Sequence, residues 1–292
     1  MSNNEKYNPV SLEKYINELD EIVMTLQECT SIALKINDPD VHLRVYRAEW
    51  HIRGLIYHCK NIIEQYGNFC NDVIIRANSD SGVKPDILIM YSPSVQYLMY
   101  EFYALVNLAK ISLDNLSKLV YPLFSTKHLP KSVTDFESGS TNCPMYERLA
   151  NDSLTHYLID VRNCLVHFRS FATNDNAYVL KEGVDESEAQ EIAKDWIGLM
   201  AKGVFRFTDD GKTVVNIFLP DVIFERSETG DKKLAKFTYD NRYNILGHSM
   251  RFARTVMFST IEAFSYYKDF SKRFIYNKHG IGEKVNYFDF IS

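Results

Sequence analysis

The chain has 292 residues, room for one large domain or two small ones. An apolar content of 46% supports a substantial core. A net charge of -5 excludes the global basic field of a protein that coats nucleic acid, while leaving room for a nuclease with a local basic cleft.

A first helix is expected over about 12–36, capped by Ser11, with Tyr15, Ile16, Leu19, Ile22, Val23 and Leu26 at helical spacing. Asn37-Asp38-Pro39 ends it and starts the next, with Asp38 as N-cap and Pro39 in the first helical position. That second helix is expected to reach about Asn78 through Leu43, Trp50, Leu55, Ile62, Ile63, Phe69 and Val73. Gly54 and Gly67 can bend it without breaking it. Residues 78–82 read as a loop. Ser92-Pro93 opens a third helix, with an apolar stripe from Leu98 to Val120 and an end before Pro122.

Residues 125–142 are rich in Ser, Thr, Gly and Pro and are expected to be loop. A fourth helix begins near Pro144, or restarts at Asp152-Ser153, and continues to about Ser170. The hydrophobic period then changes. Residues 204–207 and 213–218, around Asp209-Asp210-Gly211, read as a β-hairpin, and 222–224 and 234–239 as further strands. A short helix over 187–200 and a last long helix over about 240–276 complete the chain. The expected fold is mainly α: an up-and-down helical bundle, one domain over 1–292, with a small β-rich insertion at about 177–239 before the last long helix.

The five cysteines (29, 59, 70, 143 and 164) are odd in number and include no CxxC pair, which reads as free thiols in a reducing cytosol. Residues 1–10 carry no apolar signal core, and no stretch approaches the ~20 apolar residues of a membrane span. The sequence reads as soluble and cytoplasmic. It lacks GxxxxGK[ST], GxGxxG after a strand, GxSxG and HExxH, so a P-loop ATPase, Rossmann dehydrogenase, typical serine hydrolase or zincin is not supported. No cofactor is implied.

The stretch Arg162-Asn163-Cys164-Leu165-Val166-His167 stands out late in the fourth helix. Arg followed within four to six residues by His occurs five times here, so that loose pattern carries little. Requiring Asn directly after Arg, and four residues between Arg and His, lowers the chance expectation to roughly 0.03. Only Arg162 passes. This Arg-Asn-x-x-x-His motif, after a helical hairpin, resembles the HEPN superfamily (higher eukaryotes and prokaryotes nucleotide-binding). The upstream segment 102–116 is similar in general character to the helix that precedes the motif there.

The resemblance implies a metal-independent endoribonuclease, acting as a homodimer with a composite site between motif helices. It also implies a toxin or defence role beside an antitoxin or nucleotidyltransferase-type partner. Arg162 would stabilise charge at the phosphate, His167 would act as acid/base or orient the phosphate, and Asn163 would support them. The residue types suit that chemistry. Histidine titrates near neutrality and can take a proton from a ribose 2′-hydroxyl. Arginine's planar fork can hold two phosphate oxygens as negative charge builds.

Bland readings stand beside this one. At about 100° per residue, Tyr157, Val161, Cys164, Leu165 and Phe168 gather on a core face, and His156, Asp160, Asn163 and His167 on the opposite face. Such a polar face is often merely solvated. The family also includes members that bind nucleotides or proteins without cutting RNA, so a non-catalytic helical module is the alternative. Arg53 and His58 form the runner-up pair. His51 and His58 share a helix face without a carboxylate at ligand spacing, which argues against a metal. Arg251, Arg254, Lys268, Lys272 and Arg273 make the last helix locally basic, as an RNA path or a solvated face.

Overall fold

A computed structural model describes scattered residues of 17–31 and residues 39–78, 86–124, 143–167, 176–184, 201–207, 213–226, 233–270, 274–276 and 284–286, some of them for the backbone alone. The expected loop 125–142, the expected helix 187–200 and the cap Asp38 lie outside the described residues. The protein is mainly helical, with a five-stranded sheet.

The described residues between 17 and 31 are helical, and Leu19 among them is fully buried. Helix α1 spans Pro39–Ala77 and passes through Gly54 and Gly67 unbroken. Its inner stripe is Val41, Val45, Ala48, Ile52, Leu55, Cys59, Ile62, Tyr66, Phe69 and Val73, all buried. These positions alternate steps of four and three, the spacing that keeps one helix face on a core. Leu43 and Trp50 are not part of that core: they are 52% and 76% exposed.

Strand β1, Ile87–Tyr91, had no counterpart in the sequence reading. Helix α2, Pro93–Phe124, starts where Ser92-Pro93 placed it, and the Val95 amide donates to the Ser92 carbonyl at 3.0 Å. The Ser92 hydroxyl donates to Asp72 Oδ2 at 2.7 Å. The helix also runs past Pro122, contrary to expectation. A proline in the last turn removes a single backbone bond, which the end of a helix tolerates better than its middle.

Helices α3, Pro144–Asn151, and α4, Ser153–His167, are separated by Asp152 alone. Asp152 is extended and caps α4: its carboxylate accepts from the Leu154 and Thr155 amides at 3.3 and 3.0 Å and from the Thr155 hydroxyl at 2.7 Å.

Five strands follow the order β1-β2-β3-β4-β5, with β2 Asn176–Lys181, β3 Ala201–Phe207, β4 Thr213–Arg226 and β5 Lys233–Asn244. Only β2 and β3 run parallel; the other neighbours are antiparallel. The expected hairpin is present, with Phe207 opposite Thr213. The register shifts between Leu219 and Asp221, around Pro220, a residue that cannot donate to a ladder. Strand β1 joins the sheet from outside the 177–239 segment. Ala177 to Leu180 on β2 are all buried, as a strand covered on both faces requires.

Helix α5 spans Ile245–Phe270, shorter at both ends than the sequence suggested. Residues 240–244 belong to β5, and 274–276 form strand β6, paired with β7, Lys284–Asn286.

The chain divides into two compact units. The first comprises 1–14, 58–104 and 160–250, and holds the five-stranded sheet. Phe69, Phe102, Phe205 and Ile217 are buried in it. The second comprises 15–57, 105–159 and 251–292. Ile52, Leu113, Leu149, Phe252 and Phe264 are buried there. Within it Glu262 accepts from Arg148 at 2.7 Å and from the Tyr266 hydroxyl at 2.6 Å. The Tyr266 hydroxyl in turn accepts from the Met145 amide at 3.1 Å, tying α3 to α5.

Gly203 marks a close approach within the sheet. A Cβ there would meet the Asn216 carbonyl oxygen at 3.0 Å, and that oxygen is backbone. Gly203→Ala is expected to cost about 1–3 kcal/mol through overpacking, read as a lower urea midpoint. A midpoint unchanged from wild type would show that the strands part freely.

Candidate functional site

Helix α4 carries the motif, and Asp152 fixes where that helix begins. Its buried positions are Thr155, Leu158, Ile159, Val161 and Cys164. Val161 and Cys164 lie inward as the helical wheel required, whereas Tyr157 and Leu165 are only half-buried. The buried arc drifts around the axis, since Thr155, Leu158, Val161 and Cys164 follow one another at steps of three, each about 60° short of a full turn. On the polar face His156 is exposed, and Asp160 and Asn163 are half-buried. His156 Nε2 lies 2.7 Å from the Ala150 carbonyl, so it serves the α3–α4 junction. Phe168 lies outside the described residues.

Arg162 and Asn163 come together directly. The Arg162 guanidinium (Nη1) donates to Asn163 Oδ1 at 3.2 Å, and both residues are half-buried. His167 is the last residue of the helix, and its side chain lies outside the described residues. Five residues of α-helix put its Cα about 7.5 Å along the axis from Arg162 and about 140° around it. A bound phosphate reached by both must therefore be spanned by the long arginine side chain.

The runner-up pair is not brought together. Arg53 binds Glu49 through Nε and Nη2, at 3.2 and 2.6 Å. His58 Nδ1 lies 2.6 Å from Glu101 Oε2, and Asn61 donates to the other oxygen of that carboxylate at 3.0 Å. This His58–Asn61–Glu101 group was invisible in the sequence, since Glu101 lies about forty residues from its partners. A polar residue one turn from a helical histidine was its only local signal.

Cys59, Cys70, Cys143 and Cys164 are free thiols. Burial pushes Cys59 and Cys70 up to about 12, and chiefly burial raises Cys143 as well. These three are therefore protonated near neutrality and poor nucleophiles. Among the described residues no three His, Cys, Asp or Glu side chains gather as a metal site. No helix of the described residues is long and apolar enough to cross a membrane.

Among the described residues, His51 is a histidine whose environment points to a pH effect. Its buried Nδ1 has no hydrogen-bond partner among the described residues. Burial first, and the Arg47 guanidinium second, hold its pKa below the ordinary histidine value. A histidine depressed in the folded state binds fewer protons there than in the unfolded chain, so stability rises with pH between the two pKa values. The contribution is complete above about 6.5 and fades as pH falls through the folded value. Wild type is expected to lose more stability than His51→Gln between pH 7 and pH 5 in urea titrations. Equal losses would remove His51 as the cause.

Compared with known protein families, curated proteins and solved structures, the chain matches none of them.

Proposed function

We propose that the protein is a metal-independent endoribonuclease of HEPN type, with Arg162, Asn163 and His167 as its site residues. The observation that carries the reading is the Arg162–Asn163 hydrogen bond, which makes two of the three motif residues one half-exposed polar unit on a capped helix. In this scheme His167 takes the proton of the ribose 2′-hydroxyl, whose oxygen attacks the adjacent phosphorus. As the 2′-oxygen–phosphorus bond forms, the phosphorus–5′-oxygen bond breaks and the leaving oxygen takes a proton from water, His167 returning its own proton to solvent, so that the products end in a 2′,3′-cyclic phosphate and a 5′-hydroxyl. Arg162 holds the phosphate oxygens as charge builds. Asn163 supports the guanidinium and steers it.

The site is composite, built by the motif helices of two copies, and the protein acts as a cytoplasmic toxin or defence effector restrained by an antitoxin or nucleotidyltransferase-type partner. The test is an RNA oligonucleotide compared with its twin carrying 2′-deoxyribose at the cleaved position. Cutting of the first alone supports the reading; cutting of both removes 2′-hydroxyl attack.

A second reading has its own observation. The Arg162 guanidinium is already engaged by Asn163 and half-buried, as in a helix that uses the pair for packing. A non-catalytic helical module that binds a nucleotide or a protein would leave both RNA oligonucleotides intact.

A further inference from the structure

Strand β1 forms one edge of the five-stranded sheet, and among the described residues β2 is its one strand neighbour. The Lys181 amide donates to the Asp86 carbonyl at 2.8 Å, just before the strand begins. Bonded and non-bonded pairs alternate along an antiparallel ladder. Leu88 and Met90, opposite Val179 and Ala177, therefore bond to β2. The backbone N–H and C=O groups of Ile87 and Ile89 turn the other way, to the outer edge.

We infer that this edge is an interface for a second copy of the chain, whose own β1 pairs with it antiparallel about a two-fold axis at Ile89. This holds whether or not the chain cuts RNA, and it joins copies through the sheet rather than through the Arg162 helix.

Three observations select that occupant. The first is the lack of any guard on the strand. Edge strands are commonly kept from pairing by charge, proline or a bulge. The sheet's other edge, β5, carries Lys233, Lys236, Asp240 and Arg242. Strand β1 reads Ile-Leu-Ile-Met-Tyr and pairs with β2 without a shift of register. A charge-free strand laid against its own copy brings no like charges together.

The second is register. An axis at Ile89 sets Ile89 of one copy opposite Ile89 of the other, the two exchanging both N–H···O bonds. Ile87 then falls opposite Tyr91 of the second copy. Side chains at 87, 89 and 91 share one face of the sheet. Tyr91 is 65% exposed there and Ile87 half-buried, so the exposed ring of each copy covers the half-covered isoleucine of the other. Ile87 and Ile89 already pack against the buried Tyr178 and Leu180. Pairing carries this apolar row on into the second copy.

The third is length. Pro85 and Pro93 bracket the strand, and proline cannot donate to a ladder. A longer extended segment of another protein gains no further bonds here, whereas a second β1 ends flush with the first. A pairing this short belongs with weak interfaces, below ~1,200 Å², which form at high protein concentration.

The full-length protein is to be followed by amide hydrogen exchange and by sedimentation between about 1 µM and about 1 mM, the range of weak association. The Ile87 and Ile89 amides are expected to exchange at least about tenfold more slowly at the upper concentration, while Leu88 and Met90, bonded to β2, are protected at both. At the upper concentration wild type should sediment at about twice the mass of Ile89→Pro, as a closed two-fold contact requires. The Ile89 N–H faces away from β2, so proline there spares the protein's own ladder. Tyr91→Lys, at an exposed position, should likewise sediment at the lower mass. It decides the matter if circular dichroism shows the proline variant unfolded. Protection of Ile89 that does not change with concentration overturns the inference, because the chain then covers its own edge. Fast exchange of Ile89 at the upper concentration also overturns it, as does an equal mass for wild type and the folded variants.

Discussion

Arg162→Ala is expected to lower RNA cleavage by about 10²–10³-fold, the loss found when one preorganised donor to a developing oxyanion is removed. His167→Ala is expected to lower it by about 10²–10⁴-fold, through loss of the proton acceptor. The two replacements made together should lower cleavage little beyond the worse single one, because groups that act as a unit are not additive. Arg162→Lys separates charge from geometry. An ammonium keeps the positive charge but not the planar fork, so the lysine variant should fall well short of wild type.

Arg162 is half-buried and bonded to Asn163, so each variant must be shown to unfold at the wild-type urea concentration before its rate is read. Full activity in a folded Arg162→Ala protein would take the guanidinium out of the mechanism.

Asn244→Ala is expected to cost about 3 kcal/mol of stability, from a lost helix cap of about 1 kcal/mol and buried groups left unsatisfied at about 1–3 kcal/mol. Asn244 is buried where β5 ends and α5 begins. Its Oδ1 accepts from the Gly247 amide at 3.0 Å, capping α5. Its Nδ2 donates to the Tyr66 hydroxyl and to Asn216 Oδ1, both at 3.1 Å. The Tyr66 hydroxyl donates onward to the Val215 carbonyl at 3.0 Å. One side chain thus joins α1, β4 and the start of α5. A lower urea midpoint at unchanged slope is the expected signature. A double-mutant cycle with Tyr66→Phe should return a coupling of at least about 0.5 kcal/mol. A loss below about 1 kcal/mol in the single variant would show that the network carries little.

How far the sequence could be read followed from how local the signals were. Helix α1 was legible almost to the residue, because Pro39 marks its start and apolar steps of three and four persist for ten turns. The same sequence misled about Leu43 and Trp50. They are apolar and helically spaced, but nothing local says which of two stripes faces a core. The hairpin of β3 and β4 was legible from β-branched runs around Asp209-Asp210-Gly211. Strand β1 was not, because five apolar residues before a proline-started helix carry no period. The end of β5 was misread as helix: 240–244 is polar, and what makes it strand is pairing of Tyr243 with Leu219 and Asn244 with Phe218, a long-range fact.

Within the candidate site, the helix and the Arg162–Asn163 adjacency followed from sequence, as did the inward Val161 and Cys164. Asp152 as the sole break between α3 and α4 was anticipated as a restart point. The Arg53–Glu49 pair is local, four residues apart on α1, whereas the His58–Glu101 pair was not legible, since it depends on α2 packing beside α1.

The decisive measurement is incubation of total RNA with the purified wild-type protein in EDTA, with the new ends identified chemically. Fragments bearing 2′,3′-cyclic phosphate and 5′-hydroxyl ends, absent with folded His167→Ala, are the predicted result. Intact RNA, or fragments that persist with His167→Ala, would contradict a metal-independent ribonuclease built on this helix.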